Sequence, residues 1–522
     1  MSPDTVDPKG RFAELGNRTR RLTPLSVVRA LLVVLTVFGP AGGVYILLRR
    51  TMHVAPNMFT PVWWDEIENF SSTATFSRAG FQGGYFNAIE DTAPASFSHF
   101  STHGPTFPLI QGLWGKILGW RYDSAPLFNA TVITVAIAVF VWTVRPSILQ
   151  LVLSAATFIS FWPFYEFIPS NMQEALHFAI GILLGTAFYV AFHQPSRVTR
   201  EFNVLLFVGI LVAALIRSSW ALFFVPYFCI GVRKRPLSVL FALMKASLGI
   251  VVSLWLWRYL CAPYRNIENA YLMIKIVTAE TGMQPLLTNF ARNYAQLKAP
   301  TVSFMPMALP AVMQTMALVP VLATFLLWRL YRRKVIKVEA FHVFNLASIV
   351  GSTLVFYFMA AGAPRVFPLH LIVTLVLLIA SNRRAYLALA GIVVAANLYA
   401  YRSATAQFPL THAAHYSDAS RAAVTAFRAD VRDVLVFRPN ADAWCNTVLA
   451  SLWTYNTWYG GLPPGLGLAL FQNAGEMPEV HSRYIITDAR TILDLKVKPV
   501  FVKNLKTPPD TSIYLNPDRR CD

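Results

Sequence analysis

Long apolar runs separated by short polar turns dominate the chain, at 27–48, 126–144, 148–163, 173–192, 203–216, 219–232, 237–259, 304–328, 341–361, 366–381 and 385–401. A helix needs about 20 apolar residues to cross a bilayer, so the pattern predicts about eleven transmembrane helices. The two runs that flank Arg217 are shorter than that and are expected as short or re-entrant helices shielded by neighbours. A further apolar stretch, "PTFPLIQGLWGKILGW", is interrupted by Lys116 and several glycines. It is expected to lie on the membrane surface, since a crossing there would spoil the alternation of charged turns.

Past about residue 401 the pattern changes. "DASRAAVTAFRADVRDV" has the apolar spacing of a helix, whereas "VLVF", "RYIIT", "PVFVK" and "SIYLN" are β-rich runs bounded by turn residues. The expected fold class is therefore a polytopic α-helical membrane protein with a small C-terminal extracytoplasmic α+β domain. Its expected divisions are a basic cytoplasmic segment at 1–26, a transmembrane domain at 27–401 with long outer loops at about 49–125 and 261–303, and the terminal domain at 402–522.

Composition agrees with the pattern. Of 522 residues, 55% are hydrophobic and 14% charged, which excludes a soluble enzyme of this length. The formal charge of +19 would suggest nucleic acid on a soluble protein. Here the cations cluster between apolar runs, so no nucleic-acid partner is expected, and membrane-lipid phosphates take that place. The first run lacks a small-residue cleavage pattern and is read as a retained span.

With the N-terminus inside, the inner turns carry Arg145, Arg197 with Arg200, "RKR" at 233–235, "RRKVIK" at 332–337, and Arg383 with Arg384. Every inner turn is then positive, and an odd number of spans places the terminal domain outside. There Cys445 and Cys521 are disulfide-competent. No His/Cys cluster has metal-ligand spacing; the outer acids leave a divalent cation open, and no cofactor is assigned.

Acids are few between residues 49 and 400, and on this topology only Glu201 and Glu339 face inward. Carboxylate chemistry would thus sit at the outer face, where Asp65, Glu66 and Glu174 are the best-placed candidates. Taken alone, Asp65 and Glu66 are equally good residues for a helix N-terminus, as is Glu174. Arg217, inside "LVAALIRSSWALFFVPY", needs a partner, an anion or a route to lipid headgroups. Arg365 is alike, and Arg258, Arg265, Lys275, Arg292 and Lys298 add cations around the second long loop. Cations beside a few acids at the outer face suit a phosphate-bearing lipid that reacts with a polar acceptor.

The order of motifs resembles the GT-C superfamily of integral membrane glycosyltransferases, whose members include lipid A aminoarabinose transferases and protein O-mannosyltransferases. "WWDE" opens the first outer loop, "HGPTFPLIQGLWGKILG" follows, "IPSNMQEALHFAIGILLGTAFYVAFHQPSR" brings a second acid before an apolar helix, and "LIRSSWALFFVPYFCIGVRKR" and "GAPRVFPLHLIV" are similar to its arginine-bearing segments. The similarity spans about residues 20–400. It implies transfer of a sugar from a polyprenyl-phosphate donor to a lipid, glycan or protein acceptor, by single-step inversion with Asp65 as base and Glu174 in support, Glu66 beside them. Arg365, Arg217 and Arg265 would hold the donor phosphate, and His103 stands where many bacterial members have lysine. A bacterial inner membrane fits such features.

Two other classes share the need for helices and lipid-phosphate cations. A lipid-linked oligosaccharide flippase would place acids mid-membrane or show repeated halves, and neither is present. A polysaccharide polymerase or ligase would carry its functional basic loop late in the chain.

Overall fold

The computed structural model describes residues 24–51, 64–80, 104–121, 124–232, 235–260 and 367–381, scattered positions in 284–291 and 387–398, and, in the terminal region, 447–451, 467–471 and most of 480–518. The helices are α1 (Pro24–Thr51), α2 (Trp64–Ala79), α3 (Thr106–Leu118), α4 (Ser124–Val144), α5 (Ile148–Ser160), α6 (Trp162–Phe167), α7 (Glu174–His193), α8 (Arg200–Ile216), α9 (Phe224–Phe228), α10 (Pro236–Leu260) and α11 (Phe367–Ser381). Among the described residues, four segments are long and apolar enough to cross a membrane: Pro24–Leu47, Ser124–Val144, Glu174–His193 and Pro236–Trp257. The expected runs at 304–328 and 341–361 lie outside the described residues, and that at 385–401 is described only at scattered positions.

Two expected spans are broken. The run at 148–163 is divided at Phe161, so that α5 has 13 residues, about 20 Å at 1.5 Å per residue, against a hydrocarbon core of about 30 Å. The run at 219–232 is a 3-10 turn, Ser218–Phe223, followed by the five residues of α9. The "PTFPLIQGLWGKILGW" stretch forms α3, which packs closely on α2. A Cβ on Gly115 would come 2.9 Å from Ser77 Cβ, and one on Gly112 would collide with Phe76. Leu113, Ile117 and Leu118 of α3 are exposed.

α7 is the central helix, buried along most of its length between α4 and α11. Gly181 and Gly185 let α11 approach: Cβ atoms there would lie 2.6 Å from Ile372 Cγ2 and 3.0 Å from Val376 Cγ1. Small residues four apart are the usual means of close helix contact in lipid, where packing replaces the hydrophobic drive. Below the α7 N-terminus, Phe161, Phe164 and Phe178 meet edge-to-face with centroids 5.0–5.6 Å apart.

Hydrogen bonds sort the helix ends into two sets. At one, Arg29 donates to Pro146 O, Arg197 to Thr143 O and Gln150 Nε2 to Ile379 O. This gathers the starts of α1, α5 and α8 with the ends of α4, α7 and α11, and its linkers hold Arg145 and Arg197: the basic end. At the other, Asn129 of α4 donates to the carbonyls of Phe167, Ile168 and Ser170. This acidic end gathers α2, the starts of α4, α7 and α11, and the end of α8.

In the terminal region β1 (Thr447–Ser451), β2 (Gly467–Phe471), β3 (Tyr484–Asp488), β4 (Val500–Asn504) and β5 (Thr511–Leu515) form one sheet of order β2-β1-β3-β5-β4, with α12 (Ala489–Asp494) after β3. β1 runs parallel to both β2 and β3, and β5 antiparallel to β3 and β4. Three of the expected strands are present as β3, β4 and β5. β1 was not expected, and β2 lies within the glycine-rich stretch "NTWYGGLPPGLGLALFQNAG". "VLVF" and the expected helix at 418–434 lie outside the described residues.

Candidate functional site at the acidic end

Three expected site residues come together here from three elements. Glu66, in the first turn of α2, is buried; its Oε1 accepts from the Asn171 N–H at 2.8 Å and its carbonyl accepts from Asn171 Nδ2 at 3.1 Å. Asn69, three residues on, donates Nδ2 to Asn171 O at 3.3 Å. The acid thus ties α2 to the linker that enters α7. Asn171 thus holds both the carboxylate and the backbone carbonyl of Glu66, and the bond to the charged oxygen is the stronger kind.

Glu174 opens α7 and its side chain is 1% exposed. Arg217 Nη2 lies 3.3 Å from Glu174 Oε1, with the arginine side chain 16% exposed. Arg217 has extended backbone, φ −146° and ψ 120°, where α8 ends and the 3-10 turn begins. The break in the helix carries this cation, and the buried carboxylate compensates it. Burying either charge alone would cost several kcal/mol, about 3–5 when one partner is removed.

One turn deeper, Trp220 Nε1 donates to His177 Nδ1 at 2.9 Å. An indole nitrogen can only donate, so His177 Nδ1 carries no proton and the ring proton is on Nε2. His370 of α11 places Nε2 3.2 Å from Ser219 Oγ. Gln173, just before Glu174, buries both polar atoms of its carboxamide without a partner among the described residues.

Asp65 lies beside Glu66 in the first turn of α2. The Asp65 side chain and residues His103, Arg265, Arg365, Cys445 and Cys521 lie outside the described residues. Among the described residues no group of three or more His, Cys, Asp or Glu is placed to hold a metal ion.

No family model matches the chain, and no curated protein matches it. Among solved structures it is similar to the apo crystal structure of the oligosaccharyltransferase of Archaeoglobus fulgidus. The two share 11% identity at a TM-score of 0.49, over 94% of this chain and 74% of that one. What the site can do is therefore derived from its own residues.

Sequence reasoning missed Asn171, His177, Ser219, Trp220 and His370. A signal was present: Asn171, Glu174 and His177 recur at three-residue spacing, as do Arg217 and Trp220, and His177 and His370 interrupt apolar runs. Polar groups at helical spacing inside an apolar run face protein rather than lipid.

Proposed function

We propose that the chain is a membrane glycosyltransferase that moves a sugar from a polyprenyl-phosphate donor to a lipid, glycan or protein hydroxyl at the acidic end of its helical bundle. The observation that supports this most is the convergence of Glu66, Glu174 and Arg217, read from separate motifs, at that one end. The acceptor oxygen would attack the anomeric carbon as the bond from that carbon to the phosphate oxygen breaks. Its proton would pass to Asp65, and the electron pair of the breaking bond would leave on the lipid phosphate, inverting the sugar in one step.

An aspartate has an unperturbed pKa of about 4 and is a weak base for a hydroxyl, so proton transfer is concerted with attack and positioning carries much of the rate. Glu66 serves that positioning: its hold on Asn171 fixes the helix that bears Asp65. Glu174 orients Arg217, whose planar guanidinium offers five N–H donors in a fixed fork, so a lipid phosphate can share it with the carboxylate. Arg365, Arg265 and His103 complete the proposed phosphate side. With the cations of the basic end facing inward, as the charge pattern favours, this chemistry would lie on the outer face and the terminal domain on the same side, in a bacterial inner membrane.

The test is sugar transfer from native polyprenyl-phosphate donors by the purified full-length protein in lipid, wild type against Asp65→Asn, with donor binding measured in parallel. Turnover reduced at least about 100-fold with binding retained is the expected result. Undiminished turnover removes Asp65 as base, and wild type that moves donor across the bilayer without transfer makes the protein a flippase.

A further inference from the structure

Arg217 sits where regular structure gives out. Its N–H still closes the last turn of α8, on Ala213 O at 2.9 Å, and its carbonyl accepts from the Trp220 N–H at 3.0 Å. Between those bonds the backbone is extended. The direction of the guanidinium is therefore set by whatever anchors the 3-10 turn that follows.

The anchors are two histidines from two different helices. Trp220, fully buried, hydrogen-bonds His177 of α7 on one side and lies 4.9 Å, centroid to centroid, from the His370 ring of α11 on the other. His370 also reaches Ser219 Oγ and packs 5.7 Å from Phe223, so it touches the turn at Ser219, Trp220 and Phe223.

The spacing makes this a ladder. Glu174 and His177 are three apart on α7, Arg217 and Trp220 three apart on the turn, so the ion pair and the indole–imidazole bond are two rungs between the same two elements. A rotation of the turn that breaks one breaks the other. If only volume were needed, phenylalanine would fill both positions without the cost of taking an imidazole out of water.

We propose that His177 and His370 are positioning residues: by gripping Trp220 and Ser219 they hold Arg217 against Glu174 and aim its guanidinium at the phosphate of the lipid donor. This rests on the reading of Arg217 as a phosphate-binding residue. The ring nitrogens carry the function, Nδ1 at His177 and Nε2 at His370. Asparagine can present an acceptor near the Nδ1 position and glutamine a polar atom near the Nε2 position, so the two sites call for opposite amides.

The experiment titrates polyprenyl phosphate, with the uncharged polyprenol as control, into the full-length chain in nanodiscs. The wild type is compared with Asn, Gln and Phe at each of positions 177 and 370, with Tm measured for all. The expected wild-type preference for the phosphate over the alcohol falls about tenfold in His177→Phe and His370→Phe, the equivalent of one hydrogen bond to a charged group. It is kept within about threefold in His177→Asn and His370→Gln, while His177→Gln and His370→Asn follow the phenylalanine variants. Should a phenylalanine variant fail to fold, the two amides at that position decide, and equal preference in both overturns the proposal. Phenylalanine variants that fold and keep the wild-type preference overturn it too. Wild type that binds polyprenol as tightly as polyprenyl phosphate overturns the reading of Arg217 itself.

Discussion

The two ends of the bundle treat the same problem, the unpaired groups of helix termini, in opposite ways. At the basic end α5 starts with a complete capping box, Ser147 and Gln150 exchanging side-chain and backbone bonds, and α8 with Thr199 accepting from the Phe202 N–H. Arg197 adds bonds to Gln194 and Thr143, all at exposed positions. At the acidic end α7 starts with no side-chain cap, a carboxylate 1% exposed and a buried amide with no partner among the described residues. One end is built as a stable terminus would be; the other carries a buried ion pair and a carboxamide with no partner among the described residues, costs that stability alone does not explain. That asymmetry, seen in the helix termini themselves, is the reason the acidic end is proposed as the working one.

The contrast can be broken most forcefully at the ion pair. Arg217→Met leaves Glu174 buried without its cation and should lower stability by about 3–5 kcal/mol, whereas adding Glu174→Gln in the same chain should recover much of the loss. Thermal unfolding of the single and double variants in nanodiscs measures this, and strictly additive losses would show the pair to be uncoupled. A smaller effect of opposite sign is expected next door. Gln173→Met removes two buried polar atoms that have no partner among the described residues, and should raise stability by about 1–3 kcal/mol, read as a higher Tm. A lower Tm would mean that the amide is satisfied and the acidic end is less strained than its neighbour groups indicate. The smallest effect belongs to the basic end: Ser147→Ala should cost about 1 kcal/mol, the ordinary value of a cap, and leave sugar transfer unchanged. Loss of transfer there would erase the functional difference between the ends.

Much of this was legible beforehand at the level of single helices. The runs that became α1, α4, α7 and α10 announced themselves by length, and the charged turns marked Arg145, Arg197 and Arg200 as one group. The break at Arg217 was expected from one cation between two short runs. The stretch that became β2 was not legible as a strand, because its glycines and prolines signal turns and its pairing with β1 is made across the sheet. Gly181 and Gly185 looked like any helical glycines until α11 lay against them.

The sequence by itself determined what each segment prefers: long apolar runs as helices, with short charged turns between them. Those preferences come from solvation and 3.6-residue periodicity, which are local. Only the tertiary structure decided that Glu174 meets Arg217 across 43 residues of chain, that Glu66 closes on Asn171, and that two histidines from separate helices hold one tryptophan. A buried charge must find a partner, but which one it finds depends on how helices cross and how closely glycines let them approach, and that is settled by packing among segments far apart in sequence.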